Sequence, residues 1–338
     1  MVTSVVRGGI LRTHKGVNAP DSHLSVSSMT DKDRADMAFA LEQDVDMFAV
    51  SFVRNAEDVQ VFRRHMASLG GNLPIISKVE MSEAVDNLEQ IVAVSDGAMV
   101  ARGDLGVEIP IERVPLVQKE LIALCNRLGK PVITATQMLD SMMRSPSPTR
   151  AEATDVANAI LDGTDALMLS GETAVGAYPV ESVETMNRIA AAAETALERD
   201  TPSALRRKPQ AADSVPDAIS RATVLIAHDL GLRSILCLTR SGGTARMVAR
   251  YRPAARVLAY TPVPRTARQL CLSWGVVPVV HDGPDCVDAE CFDGLVRDAT
   301  GIFRADGTFE PGERVVVTGG LPMGAAGRTN LLRVIDVP

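Results

Sequence analysis

Three charged residues, Lys78, Glu80 and Asp104, stand at the ends of short apolar runs. Lys78 and Glu80 close the run 74–80, and residues two apart in an extended chain project to one face. Asp104 follows the run 98–101 across Arg102-Gly103. One cation and two carboxylates at strand ends suit Mg²⁺, which takes oxygen ligands and keeps positions open for substrate oxygens. The ammonium neutralises charge on a phosphoryl group in flight. The same residues equally fit a structural ion pair of Lys78 with Glu80 or Asp104, and an aspartate capping the next helix. Gly103 and Gly106 read as tight-turn positions that expose backbone N–H groups. Thr134, Thr136 and Gln137 close the next run, and Ser170, Glu172 and Thr173 the last. Hydroxyls there position substrate or relay a proton through water, or else cap helices.

Five apolar runs carry these groups, at 45–52, 74–80, 98–102, 131–137 and 166–170, and each is followed by a helical pattern. Thr30 is the expected N-cap of the first helix, and Gly129 ends the one after the third run. Nearly continuous hydrophobicity in each run predicts parallel strands covered on both sides. Polar clusters at every strand end mark the active face of a (β/α) barrel. A closed barrel takes eight strands, and five are counted. The stretch 201–213 reads as a linker, and a second α/β unit follows from 214. In it, Thr239-Arg240-Ser241-Gly242-Gly243-Thr244-Ala245 joins a strand to a helix, as a phosphate nest or a plain capped turn. The Gly-rich loop 319–327 is expected to fold over the same place and to join a closing hairpin. The proline-stiffened stretch 144–150 fits a lid, a subunit contact or an ordinary loop.

The 338 residues carry a net charge of −7 with signs interspersed, which argues against nucleic acid as the main partner. No apolar window reaches the length of a membrane span, so no membrane partner is expected, and the N-terminus lacks a signal-peptide pattern. Five cysteines without a C-x-x-C pair point to a reduced, cytoplasmic protein.

The runs KGVN (15–18), EQDVDM (42–47), IISKVE, DGAMVARGDLGVEIP, NRLGKPVITATQML, PTRAEATDVANAILDG and MLSGETAVGAYP occur in the order found in pyruvate kinases, and the chain resembles that family over nearly its whole length. The resemblance implies an α/β fold: a partial (β/α)8 TIM barrel of five βα units, followed by a three-layer α/β regulatory domain. Its segments are then 1–29, returning from a lid domain, the barrel part 30–200, the linker 201–213 and the regulatory domain 214–338. It implies phosphoryl transfer from phosphoenolpyruvate to ADP, giving pyruvate and ATP in glycolysis, with Mg²⁺ or Mn²⁺ and commonly K⁺. Lys78 then contacts the phosphoryl group, Glu80 and Asp104 bind the divalent metal, and Gly103, Asp104 and Thr136 hold the substrate carboxylate. Thr136 and Ser170 stand near the water that protonates the enolate. Thr239, Ser241, Gly242 and Thr244 match a sugar-phosphate effector loop, which departs from the family at Gly243. Family members are usually allosteric homotetramers. They also carry, ahead of the counterpart of Met1, three barrel strands and most of the lid, which supply an arginine, the K⁺ ligands and most nucleotide contacts. That leaves as alternatives a catalytically incomplete fragment, one half of a split enzyme, or a paralogue acting as a ligand-binding or oligomerising module.

Overall fold

A computed structural model of the chain describes residues 4–6, 8–10, 13, 28–198, 214–283, 289–322 and 329–338. The expected linker, most of 1–29 and most of the loop 319–327 fall outside these residues.

Helix α1 (Asp31–Glu42) opens on the predicted Thr30 cap, which forms a reciprocal box with Asp33. Five strand–helix units follow: β1 (Phe48–Val50) with α2 (Ala56–Ser68), β2 (Ile75–Val79) with α3 (Ser82–Asp86) and α4 (Leu88–Val94), and β3 (Gly97–Ala101) with α5 (Arg102–Glu108) and α6 (Val114–Leu128). Then come β4 (Val132–Ala135) with α7 (Arg150–Asp162), and β5 (Ala166–Met168) with α8 (Gly171–Ala174) and α9 (Pro179–Glu198). All five strands are parallel and lie in chain order. Among the described residues neither β1 nor β5 pairs on its outer edge. The sheet is that of a barrel wall, with α2, α4 and α6 packed on its outer face around Val59, Ile75, Ile91, Val100 and Leu121. Ile76, Met99, Ile133 and Ala135 form the inner layer, closed by Leu272 from the second unit.

Two expectations change. The pattern 82–94 is two short helices broken at Asn87, whose side chain donates to the carbonyls of Glu83 and Arg54 and so competes with the helical ladder. Residues 102–108 are helical, and neither Gly103 nor Gly106 has a positive φ. The chain leaves β3 by starting a helix rather than by a glycine turn.

The second unit is α10 (Val215–Asp229), β6 (Ser234–Leu238), α11 (Gly243–Ala249), β7 (Arg256–Thr261), α12 (Pro264–Leu270), β8 (Val276–Val280), α13 (Ala289–Ala305), β9 (Arg314–Gly319) and β10 (Leu331–Asp336). Its sheet runs β10-β9-β6-β7-β8, and β9 and β10 form the predicted antiparallel pair. Residues of α10, α11 and α12 pack on one face, and Phe292, Leu295, Ala299 and Phe303 of α13 on the other. Three layers result. Cys125 and Cys237 are buried free thiols, which burial pushes above the ordinary thiol range. Cys291 is disulfide-bonded, against the expectation of a reduced set; the spacing held no C-x-x-C signal for it.

Arginine joins the units. Arg252, at φ 50°, donates to the Asn126 side chain and the Gly163 carbonyl, pairs with Asp165 at 3.2 Å and lies over the Trp274 ring. Arg265 and Arg268 reach Asp44, and Arg268 also Asp46.

Candidate active site

Strand register aligns the carboxyl ends of the barrel wall. Val50 pairs with Ser77, Val79 with Val100, Ala101 with Ala135 and Ala135 with Met168. The residue clusters just beyond these pairs therefore share one rim, as in the active faces of parallel barrels.

Lys78 and Glu80 do lie on one face, and they touch: Lys78 Nζ is 2.6 Å from Glu80 Oε1. The same nitrogen donates to Ser51 Oγ at 2.8 Å. An ammonium has three donors, so one is left to point outward. Glu80 is only 1% exposed, and its second oxygen accepts the N–H of Phe52 at 2.8 Å. That N–H is turned inward because Phe52 sits at φ 56° with its ring exposed. Neither Ser51 nor the Phe52 amide was singled out from the sequence, although both belong to the polar end of the first apolar run.

Asp104 lies in the first turn of α5, where a carboxylate complements the helix dipole, and it is not the N-cap. It is exposed and has no side-chain partner among the described residues. Glu80 and Asp104 thus offer hard oxygen donors from adjacent strands, one buried and one open. They fit a divalent cation that keeps several positions for other oxygens. Among the described residues no cluster of three or more such ligands exists.

Thr136 and Gln137 both adopt left-handed backbone, at φ 68° and 54°. For non-glycine residues this costs of order 1–3 kcal/mol each and persists only where the surroundings enforce it. Thr136 Oγ1 accepts the Gly103 N–H at 2.7 Å and donates to the Ala135 carbonyl at 2.7 Å. Its carbonyl accepts from Arg102 Nη2 at 2.9 Å. A Cβ on Gly103 would lie 3.4 Å from Thr136 Oγ1, an ordinary van der Waals contact, so the space here does not by itself require glycine.

Ser170 precedes α8 without capping it, and its buried hydroxyl has no partner among the described residues. Glu172 holds this end in place by accepting from the N–H groups of Ser170 at 2.8 Å and Leu139 at 3.1 Å. Thr134 does not join the rim. It is buried against Thr164 at 3.0 Å. Thr173 is exposed and leans on the Ser170 carbonyl. The stretch 144–150 ends in the Thr149–Glu152 capping box of α7.

In the second unit, β6 lies between β7 and β9, where the chain reverses its direction of winding. Ligands of open α/β sheets bind at such switch points. The 239–244 loop stands there. Thr239 Oγ1 accepts the Gly242 N–H at 3.0 Å, and Gly242 is left-handed at φ 79°. Thr244 meets Thr329 through their hydroxyls at 2.8 Å; residues 323–327 of the expected covering loop lie outside the described residues. Ser241 is exposed. Arg246, which sequence reading passed over, folds back onto the Ser241 carbonyl at 2.9 Å. Burial lowers its pKa against the opposing pull of Asp96.

Known proteins share this arrangement of sequence. The chain matches the profile described as "Pyruvate kinase, barrel domain" over residues 1–183 and that described as "Pyruvate kinase, alpha/beta domain" over 217–335. It is 48% identical to the pyruvate kinase of Clostridium acetobutylicum over 335 residues, covering 99% of this chain and 70% of that protein. It is 48% identical to that of Geobacillus stearothermophilus, covering 99% of this chain and 56% of the relative. For the pyruvate kinase of Sporosarcina psychrophila the identity is 48%, with 98% of this chain and 56% of the relative covered. The chain thus spans little more than half the length of two of these relatives.

Proposed function

The chain belongs to the pyruvate kinase family, and on that premise we propose that its rim of strand ends transfers a phosphoryl group from phosphoenolpyruvate to ADP. The observation that carries this reading is the Lys78 ammonium, fixed by Ser51 and Glu80 with one donor to spare, on the strand paired with the one that leads into Asp104. In the reaction the bond from phosphorus to the enol oxygen breaks, and one forms to a terminal oxygen of ADP. The enolate carbon then takes a proton, giving pyruvate.

Lys78 holds positive charge against the equatorial oxygens of the moving group, in a setting that needs no reorganisation. Glu80 and Asp104 would hold Mg²⁺ or Mn²⁺, which when bound supplies charge neutralisation and a template for substrate oxygens. No residue of this chain is assigned to K⁺. Gly103, Asp104 and Thr136 face the substrate carboxylate. In the free protein the Gly103 N–H is given to Thr136 Oγ1 and the Thr136 proton to the Ala135 carbonyl, so to hold a carboxylate, which only accepts, the Thr136 hydroxyl turns its proton away from Ala135. The unpartnered hydroxyl of Ser170 is the better placed to order the water that delivers the proton. Thr239, Ser241, Gly242 and Thr244, with Arg246, form a site for the phosphate of a sugar-phosphate effector. We read the protein as a self-associating enzyme, a homotetramer by analogy with its family, acting in the cytoplasm. Among the described residues no helix is long and apolar enough to cross a membrane.

Pyruvate formation from phosphoenolpyruvate, ADP, Mg²⁺ and K⁺, coupled to lactate production, tests the reading. Lys78→Met should lower turnover by orders of magnitude with unchanged circular dichroism. Turnover equal to the parent's would sink it, and so would its absence in the parent protein.

A further inference from the structure

We infer that Arg102 is a positioning residue for the end of β4: its guanidinium locks the left-handed Thr136–Gln137 turn so that the Thr136 hydroxyl stays seated on the Gly103 amide. The inference rests on the reading above, in which Thr136 faces the substrate.

The geometry supports it from both sides of one residue. Arg102 and Gly103 are neighbours at the start of α5. The first sends its guanidinium to the carbonyl of Thr136, through Nε at 3.3 Å and Nη2 at 2.9 Å, while the second sends its N–H to the hydroxyl of the same Thr136. Nη2 also reaches the Gln137 carbonyl at 3.4 Å and Met138 Sδ at 2.7 Å. One arm of the guanidinium, Nη2, thus reaches the carbonyls of both positive-φ residues, while Nε reinforces the bond to Thr136. The far edge of the guanidinium is itself anchored. Nη1 donates to Asp155 of α7 at 2.7 Å and to the buried Gln118 of α6 at 3.3 Å. Only 10% of the Arg102 side chain is exposed. Two outer helices thereby set the conformation of a turn on the rim. Lysine, a point charge on a flexible stem, reproduces neither the fork nor the double anchorage. A mere ion pair between Arg102 and Asp155 would stabilise the fold without touching the Thr136 turn.

Three variants separate these roles: Arg102→Met, Arg102→Lys and, in parallel, Thr136→Ala. Hydrogen exchange needs no turnover. The Gly103 amide in Arg102→Met should exchange about tenfold faster while the β4 amides stay protected, since the turn opens locally. In the coupled assay kcat should fall roughly 10- to 100-fold, the scale of a small misplacement of a reacting group. KM for ADP should stay put, and Arg102→Lys should not restore the rate. Unchanged Gly103 exchange overturns the proposal. So does full kcat in Arg102→Met when Thr136→Ala is impaired. If Thr136→Ala itself keeps full turnover, the reading of the site fails instead, and the exchange result alone decides the role of Arg102.

Discussion

Replacing Glu80 by glutamine tests the buried carboxylate with almost no change of shape. Glu80 accepts two bonds, from Lys78 Nζ at 2.6 Å and from the Phe52 N–H at 2.8 Å. Glutamine keeps one acceptor oxygen. If that oxygen stays on Phe52, the amide nitrogen confronts the ammonium donor to donor. If it stays on Lys78, the nitrogen confronts the Phe52 N–H. Either way one hydrogen bond to a charged group is lost, worth about 1.5–3 kcal/mol. Lys78 is 24% exposed and keeps Ser51, so water recovers part of the loss. The expected destabilisation is therefore about 2 kcal/mol. In urea that moves the midpoint down by about 1 M at a slope of about 2 kcal/mol per M. Circular dichroism would follow the transition, without and with Mg²⁺. A cation at a hundred times its dissociation constant stabilises the parent by about 2.7 kcal/mol through mass action, and the variant should gain far less. A parental midpoint would refute the anchoring role of Glu80, and a parental gain from Mg²⁺ would refute its role as a metal ligand.

Other perturbations probe different parts. Ser170→Ala should leave stability equal or raise it by about 1 kcal/mol, because a buried unpaired hydroxyl is removed. Turnover should nevertheless fall, and full activity would exclude Ser170 from proton delivery. Burial raises the pKa of Glu152, but hydrogen bonds from Ser141 and Thr149 outweigh it and hold the carboxyl below its usual range. A depressed pKa contributes stability above the unfolded-state value and loses it as pH falls through the folded-state value. Glu152→Gln should therefore flatten the acid limb of melting temperature against pH, below the ordinary glutamate range, and an unaltered limb counts against this cap. Arg252→Ala leaves Asp165 buried without its cation, at a cost of about 3–5 kcal/mol. Trp274, the single tryptophan, should then report a transition that no longer coincides with circular dichroism. Among the free thiols Cys271 is exposed and Cys125 and Cys237 are buried, so a maleimide should label Cys271 first in the native protein; labelling of all three at one rate would contradict the packing.

The parts of this protein written locally were legible in the chain. Period-two alternation puts Lys78 and Glu80 on one face and within reach of each other, and the structure shows that they pair. Caps at Thr30, Thr149, Gly129 and Gly163 follow from the same short-range rules. Helix α13 was legible too, through Phe292, Leu295, Val296, Ala299 and Phe303 at helical spacing. Thr134 was misplaced because an apolar run entered on both sides does not say which face a hydroxyl takes.

What needed the tertiary structure are the contacts between distant residues. Ser51 and the Phe52 amide meet Lys78 and Glu80 across 27 and 28 positions, and Arg102 meets Thr136 across 34. No periodicity encodes such pairs, since they arise when strand register brings separate chain ends onto one rim. The left-handed turn at Thr136 and Gln137 belongs to the same class. Neither residue type asks for that backbone, and the bonds from Arg102 and Gly103 that hold it exist only once β3 and β4 lie side by side.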